Sequence, residues 1–347
     1  MLFRSVDENR WFNGYPWGGL SYVEDQWADP ANATLSNGVL QLSLDKTNEL
    51  RKFPGWMIDT NALKKFGKQL VDGKYPLKYK GACIWSKEQF KYGYFECRCK
   101  TPGGKGLWPA YWLYGGNPND EIDFMELKGE KEKEIHVDVH CPENCDGGYP
   151  NRLGIKKNWG GWVKVNADLN SDWNLISGVW LPGEVVFYVN GDPIANFKGD
   201  FKNPMNLIAN LAIAADNGPF NPGPDKKTIF PSKMEVDYIR VWKTPEDPVF
   251  LQRRKNEFEL DETPKTKNAS VLTPRLKKPI RFMFQKKKNS VENGFVSLYP
   301  NGIKKYLVHV NGKSDCKVTL EISDTNGKIL KTRAEEHTSQ LQSRETI

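Results

Sequence analysis

Seven stretches of the first 245 residues share one pattern, and it is the pattern of strands. They are 37-NGVLQLSLDK-46, 81-GACIWSKEQF-90, 92-YGYFECRCK-100, 135-IHVDVH-140, 184-EVVFYVNG-191, 206-NLIANLAIA-214 and 234-MEVDYIRVWK-243. Each alternates apolar and polar residues or runs apolar, and is rich in Val, Ile, Tyr and Phe. Gly, Pro, Asn and Asp separate them. Successive side chains of a strand point to opposite faces, so alternation turns one apolar face toward a core. Only 60-TNALKKFGKQL-70 offers a modest helical period, and Gly67 weakens it. Many antiparallel strands with turn punctuation indicate a sandwich or a barrel, and the size favours a large jelly roll. The expected fold is all-β: a β-jelly-roll sandwich, large rather than immunoglobulin-sized.

The pattern breaks at 244-TPEDP-248 and resumes near residue 295. This divides the chain into a β domain over 1–245, a basic linker over 246–292 and a small β unit over 293–347. Within the last, 295-FVSLYPNGIKKYLVHVNG-312 and 317-KVTLEISDTNGKILKT-332 carry Asn-Gly hairpin turns, and the polar tail 333–347 reads as frayed. The net charge is +7, and the segment 253–290, rich in Lys and Arg, carries most of the positive excess. That run lacks the regular aromatic interleaving of a nucleic-acid groove, so nucleic acid is not an expected partner.

Six cysteines show no paired zinc spacing. Cys97 and Cys99 share one strand face, as core residues would. Cys141 and Cys145 lie in the loop-like 141-CPENC-145, where a short disulfide suits an exported protein. No apolar run is long enough for a membrane span. The opening MLFRSVDENRW lacks the apolar core of a leader, which reads as a cytoplasmic protein or as a chain given without its leader.

The stretch 121-EIDFME-126 carries the chemistry. On a strand Glu121 and Asp123 share a face, and Glu126 falls on the other. A β-bulge at Phe124-Met125 adds one residue and returns Glu126 to the acidic face. Four regular steps then span roughly 13 Å between the outer Cα atoms. Two glutamates leaning together close that to near the ~5–5.5 Å between nucleophile and acid/base in a retaining glycosidase; an inverting one needs about 6.5–9.5 Å. Crowding raises at least one pKa of the set. A solvent-facing acidic strand and a calcium site are the competing readings of the same residues.

The neighbouring motifs resemble those of the family 16 glycoside hydrolases, the laminarinase, lichenase, agarase and carrageenase group, over most of residues 20–243. EIDFME matches their bulged E-x-D-x-x-E, and 92-YGYFECRCKTPGGKGLWPAYWL-113 is similar to their Y-G-x-x-E-x-R strand followed by G-L-W-P-A-x-W. His136 and His140 follow Glu126, and 180-WLPGEVVFYVNG-191, 208-IANLAIA-214 and 234-MEVDYIRVW-242 resemble the last strands in order. The resemblance implies a concanavalin A-like sandwich, with Glu121 as nucleophile, Asp123 as its helper and Glu126 as acid/base. It implies substrate contacts from Trp108, Trp112, His140, Asn210 and Arg98, with Trp17 available as a further subsite aromatic. No cofactor is required, and Asp237 matches a position that helps hold a structural calcium ion in some members. A monomer acting on a polysaccharide, with no nucleic acid and no membrane span, is the expected arrangement.

The chain departs from the pattern in three places. Asn174 stands where a histidine is usual, 15-YPWGGLSYVEDQW-27 replaces G-W-G-N-x-E, and the loop 141–162 is atypical. These leave the polysaccharide open between a β-1,3- or mixed-linkage glucan and a galactan. A non-catalytic carbohydrate-binding jelly roll is the rival from another class. At the C-terminus, 298-LYPNG-302 and 320-LEISDTNGKIL-330 resemble a type A sorting domain of type IX secretion, which implies a secreted or cell-surface protein.

Overall fold

The computed structural model describes residues 6–116, 120–141, 158–170, 172–201 and 203–243, and the backbone of five short strands between 283 and 337. The chain divides into two compact units, Met1–Thr263 and Pro264–Thr346.

Among the described residues the first unit is built on twelve long strands: β1 (Val39–Lys46), β2 (Tyr79–Phe90), β3 (Gly93–Lys100), β4 (Leu107–Tyr114), β5 (Glu121–Glu126), β6 (Glu134–His140), β7 (Asn158–Lys164), β8 (Asn174–Leu181), β9 (Glu184–Val189), β10 (Asp192–Lys198), β11 (Met205–Ile213) and β12 (Ser232–Trp242). They follow one hydrogen-bonded path, β7-β6-β5-β4-β11-β2-β1-β12-β3-β8-β9-β10. At the β2–β1 step only Asp45 with Lys80 and Lys46 with Tyr79 are paired. The path turns there, and its two halves lie face to face as a sandwich. Phe124 of β5 stacks on Phe95 of β3 at 5.5 Å and meets Phe187 of β9 at 6.1 Å, so the two halves share one core. Burying one such ring is worth about 1.5–3 kcal/mol.

Residues 47–78, between β1 and β2, hold a smaller core of Phe53, Tyr75 and Leu77 against Tyr22 and Trp27. The expected helix is there but short: α1 (Thr60–Lys65) is capped by Asp59, whose Oδ1 accepts from the amides of Asn61 and Ala62. It stops before Gly67, which sits at φ +63°. Asp25 ties this segment down, with Lys68 Nζ at 2.6 Å, Lys78 Nζ at 2.7 Å and the Tyr75 hydroxyl at 2.7 Å.

In the second unit, Val296–Asn301 pairs with Lys305–Val310, and Cys316–Ser323 pairs with both Met283–Gln285 and Ile329–His337. Two expectations change. The stretch taken as linker to 292 contains a strand at Met283–Gln285, and the tail taken as frayed from 333 stays in a strand to His337. The loop 142–157, including Cys145, and Cys316's side chain lie outside the described residues. Cys141 is disulfide-bonded, while Cys83, Cys97 and Cys99 are buried thiols.

Candidate active site

The bulge expected at Phe124-Met125 exists, and it organises the site. Against β6, Asp123 pairs with Asp138 and Glu126 with His136: three steps on β5 against two on β6. Against β4, Trp112 faces Asp123, Tyr111 faces Met125 and Ala110 faces Glu126. Phe124 and Met125 both enter the core. One extra residue therefore returns Glu126 to the face of Glu121 and Asp123.

Cross-strand rows lay out the floor. One row runs Asn206–Tyr114–Glu121–His140, the next Ile208–Trp112–Asp123–Asp138, and the third Asn210–Ala110–Glu126–His136–Trp162. Alternation on β4 sends Leu107, Tyr111 and Leu113 into the core and Trp108, Trp112 and Tyr114 toward the acids.

Glu126 is held from two sides. The Trp108 indole N–H donates to its Oε1 at 3.1 Å, and His136 Nδ1 lies 3.2 Å from its Oε2. Phe220, from the loop after β11, stacks on Trp108 at 4.4 Å with an interplanar angle of 11°, and Trp162 packs over His136 at 5.1 Å. The Trp112 indole N–H donates to Asn210 Oδ1 at 2.8 Å, which leaves the Asn210 NH2 group as the amide's donor.

At the other end, His140 Nε2 is 3.8 Å from Glu121 Oε1 and 3.6 Å from both Asp123 Oδ2 and Asp138 Oδ2. Burial pushes Glu121 up to about 7; the His140 charge opposes this, and Glu126 adds to it. Asp123, 1% exposed, is pushed well above the usual carboxylate range, first by burial and then by Glu121 and Glu126. It is hydrogen-bonded to Glu121, while its Oδ2 has no hydrogen-bond partner. Burial thus favours the protonated form of Asp123, and its hydrogen bond to Glu121 steadies the negative charge there. Asp138 is raised as well, chiefly by burial. It fits beside its neighbour strand because residue 160 is glycine: a Cβ there would lie 2.4 Å from Asp138 Oδ1.

Trp17 joins the Glu121 end, with Tyr15 at 4.9 Å, Trp85 at 5.1 Å and Tyr114 at 5.6 Å. Trp108, Trp112, His140, Asn210 and Trp17 are thus brought to the three carboxylates. Arg98 is not. On β3, Phe95, Cys97 and Cys99 enter the core, so Arg98 points out of the opposite sheet. There it pairs with Asp237 at 2.6 Å and lies 4.8 Å over Trp173.

That pairing also bears on calcium. Ca2+ takes six to eight oxygen ligands. The Asp237 carboxylate is engaged by a guanidinium instead, so the residues around it do not fit a calcium ion. Among the described residues, the side chains that bring three ligand atoms together are Glu121, Asp123 and His140, within 4.8 Å of one another. Asn174, the departure from the usual histidine, is buried and structural: its Nδ2 donates to the Asp168 and Asp172 carbonyls and its Oδ1 accepts from Asn190.

Phe220 and Trp162 are site residues that sequence reasoning did not single out. Phe220 lies outside any strand pattern. Trp162 had one signal, its place at the end of 159-WGGW-162 in the loop already marked as atypical.

A carboxylate-bearing face lined by indoles, on one sheet of a β-sandwich, defines the class. The chain belongs to the glycosyl hydrolases family 16, whose model matches residues 23–240. It is 31% identical over 179 residues to a beta-glucanase of Rhodothermus marinus, covering 45% of this chain and 59% of that protein. It is also 31% identical over 206 residues to a keratan-sulfate endo-1,4-beta-galactosidase of Sphingobacterium multivorum, covering 54% of this chain and 45% of the relative. The chain thus spans less than two thirds of either relative. The crystal structure of the laminarinase catalytic domain from Thermotoga maritima MSB8 superposes with a TM-score of 0.52 at 27% identity, covering 69% of this chain and 93% of that one.

Proposed function

We propose that this chain is a retaining endo-β-glycanase that cleaves internal bonds of a β-1,3- or mixed-linkage β-1,3-1,4-glucan. The observation that carries the reading is the bulge: it gathers Glu121, Asp123 and Glu126 on one face, between indoles on β4 and histidines on β6.

In the first step a Glu121 carboxylate oxygen forms a bond to the anomeric carbon while the bond from that carbon to the glycosidic oxygen breaks. Glu126 gives its proton to the departing oxygen. Asp123 holds Glu121 by a hydrogen bond that strengthens as the charge returns to it in the second step. There Glu126 takes a proton from water, the water oxygen bonds to the anomeric carbon, and Glu121 leaves as carboxylate. Trp108, Trp112 and Trp17 offer flat apolar faces to the C–H faces of the sugar rings. No metal or cofactor enters any step.

A galactan is the second reading, and the similarity to the keratan-sulfate galactosidase favours it. The protein acts as a monomer in this proposal. It is exported, if the C-terminal strands serve as the sorting domain that 298-LYPNG-302 resembles. No helix among the described residues is long and apolar enough to cross a membrane. The test is reducing-end release from laminarin, lichenan, agarose, porphyran and carrageenan. Cleavage of the glucans is the expected result, and cleavage of none removes the glycanase reading.

A further inference from the structure

Two tryptophans stand out on the surface: Trp17, 50% exposed, and Trp56, 69% exposed. Trp17 belongs to the aromatic group at the Glu121 end of the floor. Trp56 lies on a single 3-10 turn, Gly55–Met57, in the 47–78 segment. The turn is firmly mounted. Met57 lies so close to Gly18 that a Cβ on Gly18 would come within 2.6 Å of Met57 Cε. The Tyr22 hydroxyl donates to the Met57 carbonyl at 3.1 Å and accepts from the Asp59 amide at 2.7 Å. On the facing side, the Trp27 indole N–H holds the Gly18 carbonyl at 2.9 Å. The Arg51 guanidinium lies 3.8 Å over the Trp27 ring.

The pair Trp17-Gly18 therefore abuts the pair Trp56-Met57 in space, and each pair carries one exposed indole. A single exposed apolar side chain needs no explanation. Two exposed indoles, each one residue from that Gly18–Met57 contact, thus lie near the end of an acid-lined floor, where an exposed aromatic face is what a sugar ring stacks on. A rigid mount also lowers the ordering cost of binding.

We propose that Trp56 and Trp17 form a sugar-stacking platform. It extends the cleft beyond its Glu121 end and takes further pyranose residues of the same glucan chain. The proposal rests on the glycanase reading, since the chain that continues past Glu121 is the one being cleaved. Trp56 makes no contact with the reacting atoms. It sets how strongly long chains are preferred over short ones.

The experiment compares the full-length wild type, Trp56→Ala and Trp56→Phe on gluco-oligosaccharides of rising length, reading kcat/KM at each. Trp56→Ala is expected to lose about tenfold on the long members, the loss of one stacked aromatic contact, and nothing on the shortest one cleaved. Trp56→Phe is expected to recover most of it. An unchanged kcat/KM at every length overturns the platform, and so does an equal loss at every length. A Trp56→Ala variant with altered oligomeric state and unaltered length dependence assigns Trp56 to a subunit interface instead. If the wild type cleaves no member, the glycanase reading itself has failed. The platform is then judged by retention on insoluble β-glucan, where equal retention of wild type and Trp56→Ala overturns it.

Discussion

The Trp108 indole N–H donates to Glu126 Oε1 at 3.1 Å, and the same indole ring is clamped flat against Phe220 at 4.4 Å. One side chain thus does two things: its ring offers a face for stacking, and its N–H fixes the orientation of a carboxyl. Trp108→Phe keeps the first and removes the second. The expected result is a fall in kcat of about tenfold or more, as for a displaced acid/base, with a smaller change in KM. Steady-state kinetics on a soluble glucan measures the split, and an effect confined to KM would assign Trp108 to stacking alone.

The acidic limb of the pH profile follows from Glu121. As the proposed nucleophile Glu121 must be ionised to attack, and burial holds it up to about 7. The limb of kcat/KM is therefore expected well above the ordinary carboxylate value of about 4.3. The His140 charge pulls Glu121 down, so His140→Asn moves the limb to higher pH. Gly160→Ala crowds Asp138, which pairs with His140, and is expected to disturb the limb as well. A limb near the ordinary value that ignores His140→Asn would contradict this electrostatic picture.

The same shift has a stability sign. Glu121 binds its proton more tightly folded than unfolded, so the fold gains from that proton at low pH. The gain is lost as pH rises from about 4.3 through the folded value. Glu121→Gln removes the loss. At pH 7 to 8 it is expected to be more stable than wild type by on the order of 1–3 kcal/mol, since one pKa unit is worth about 1.4 kcal/mol. Below pH 4 or so the difference is expected to vanish. Thermal unfolding across that range is the measurement, and a variant no more stable at pH 8 than at pH 4 would count against a buried, strained carboxylate.

Arg98 makes an opposite prediction. It sits on the outer face of the far sheet, paired with a half-exposed Asp237. Arg98→Ala is expected to leave kcat/KM within about twofold and to lower stability by about 0–1 kcal/mol, the usual worth of an exposed ion pair. Since Asp237 does not fit calcium, treatment with EDTA is expected to leave the unfolding temperature unchanged.

Much of this was legible in the sequence, and the reason is periodicity. All seven stretches read as strands from alternation match long strands of the fold. Met125 broke the alternation, and that break was the readable mark of the bulge. Arg98 shows where motif matching misled. Its neighbours Cys97 and Cys99 are apolar and share a face, so alternation alone already turned Arg98 away from the core and onto the outside of its sheet. Phe220 was not legible, because a loop residue reaches its place on Trp108 through the path of the backbone and leaves no period behind. The 47–78 segment was illegible for a related reason: its small core draws on Tyr22 and Trp27, which lie far away in sequence.

In the proposed mechanism the bulge in β5 makes Glu121 the nucleophile and Glu126 the acid/base. A slow fluorinated glucosyl donor traps the covalent intermediate of a retaining enzyme, and peptide mass spectrometry locates the attached sugar. The sugar is expected on Glu121, with Glu121→Gln unlabelled. A label on Glu126, or turnover with no covalent intermediate and an inverted product, would contradict it.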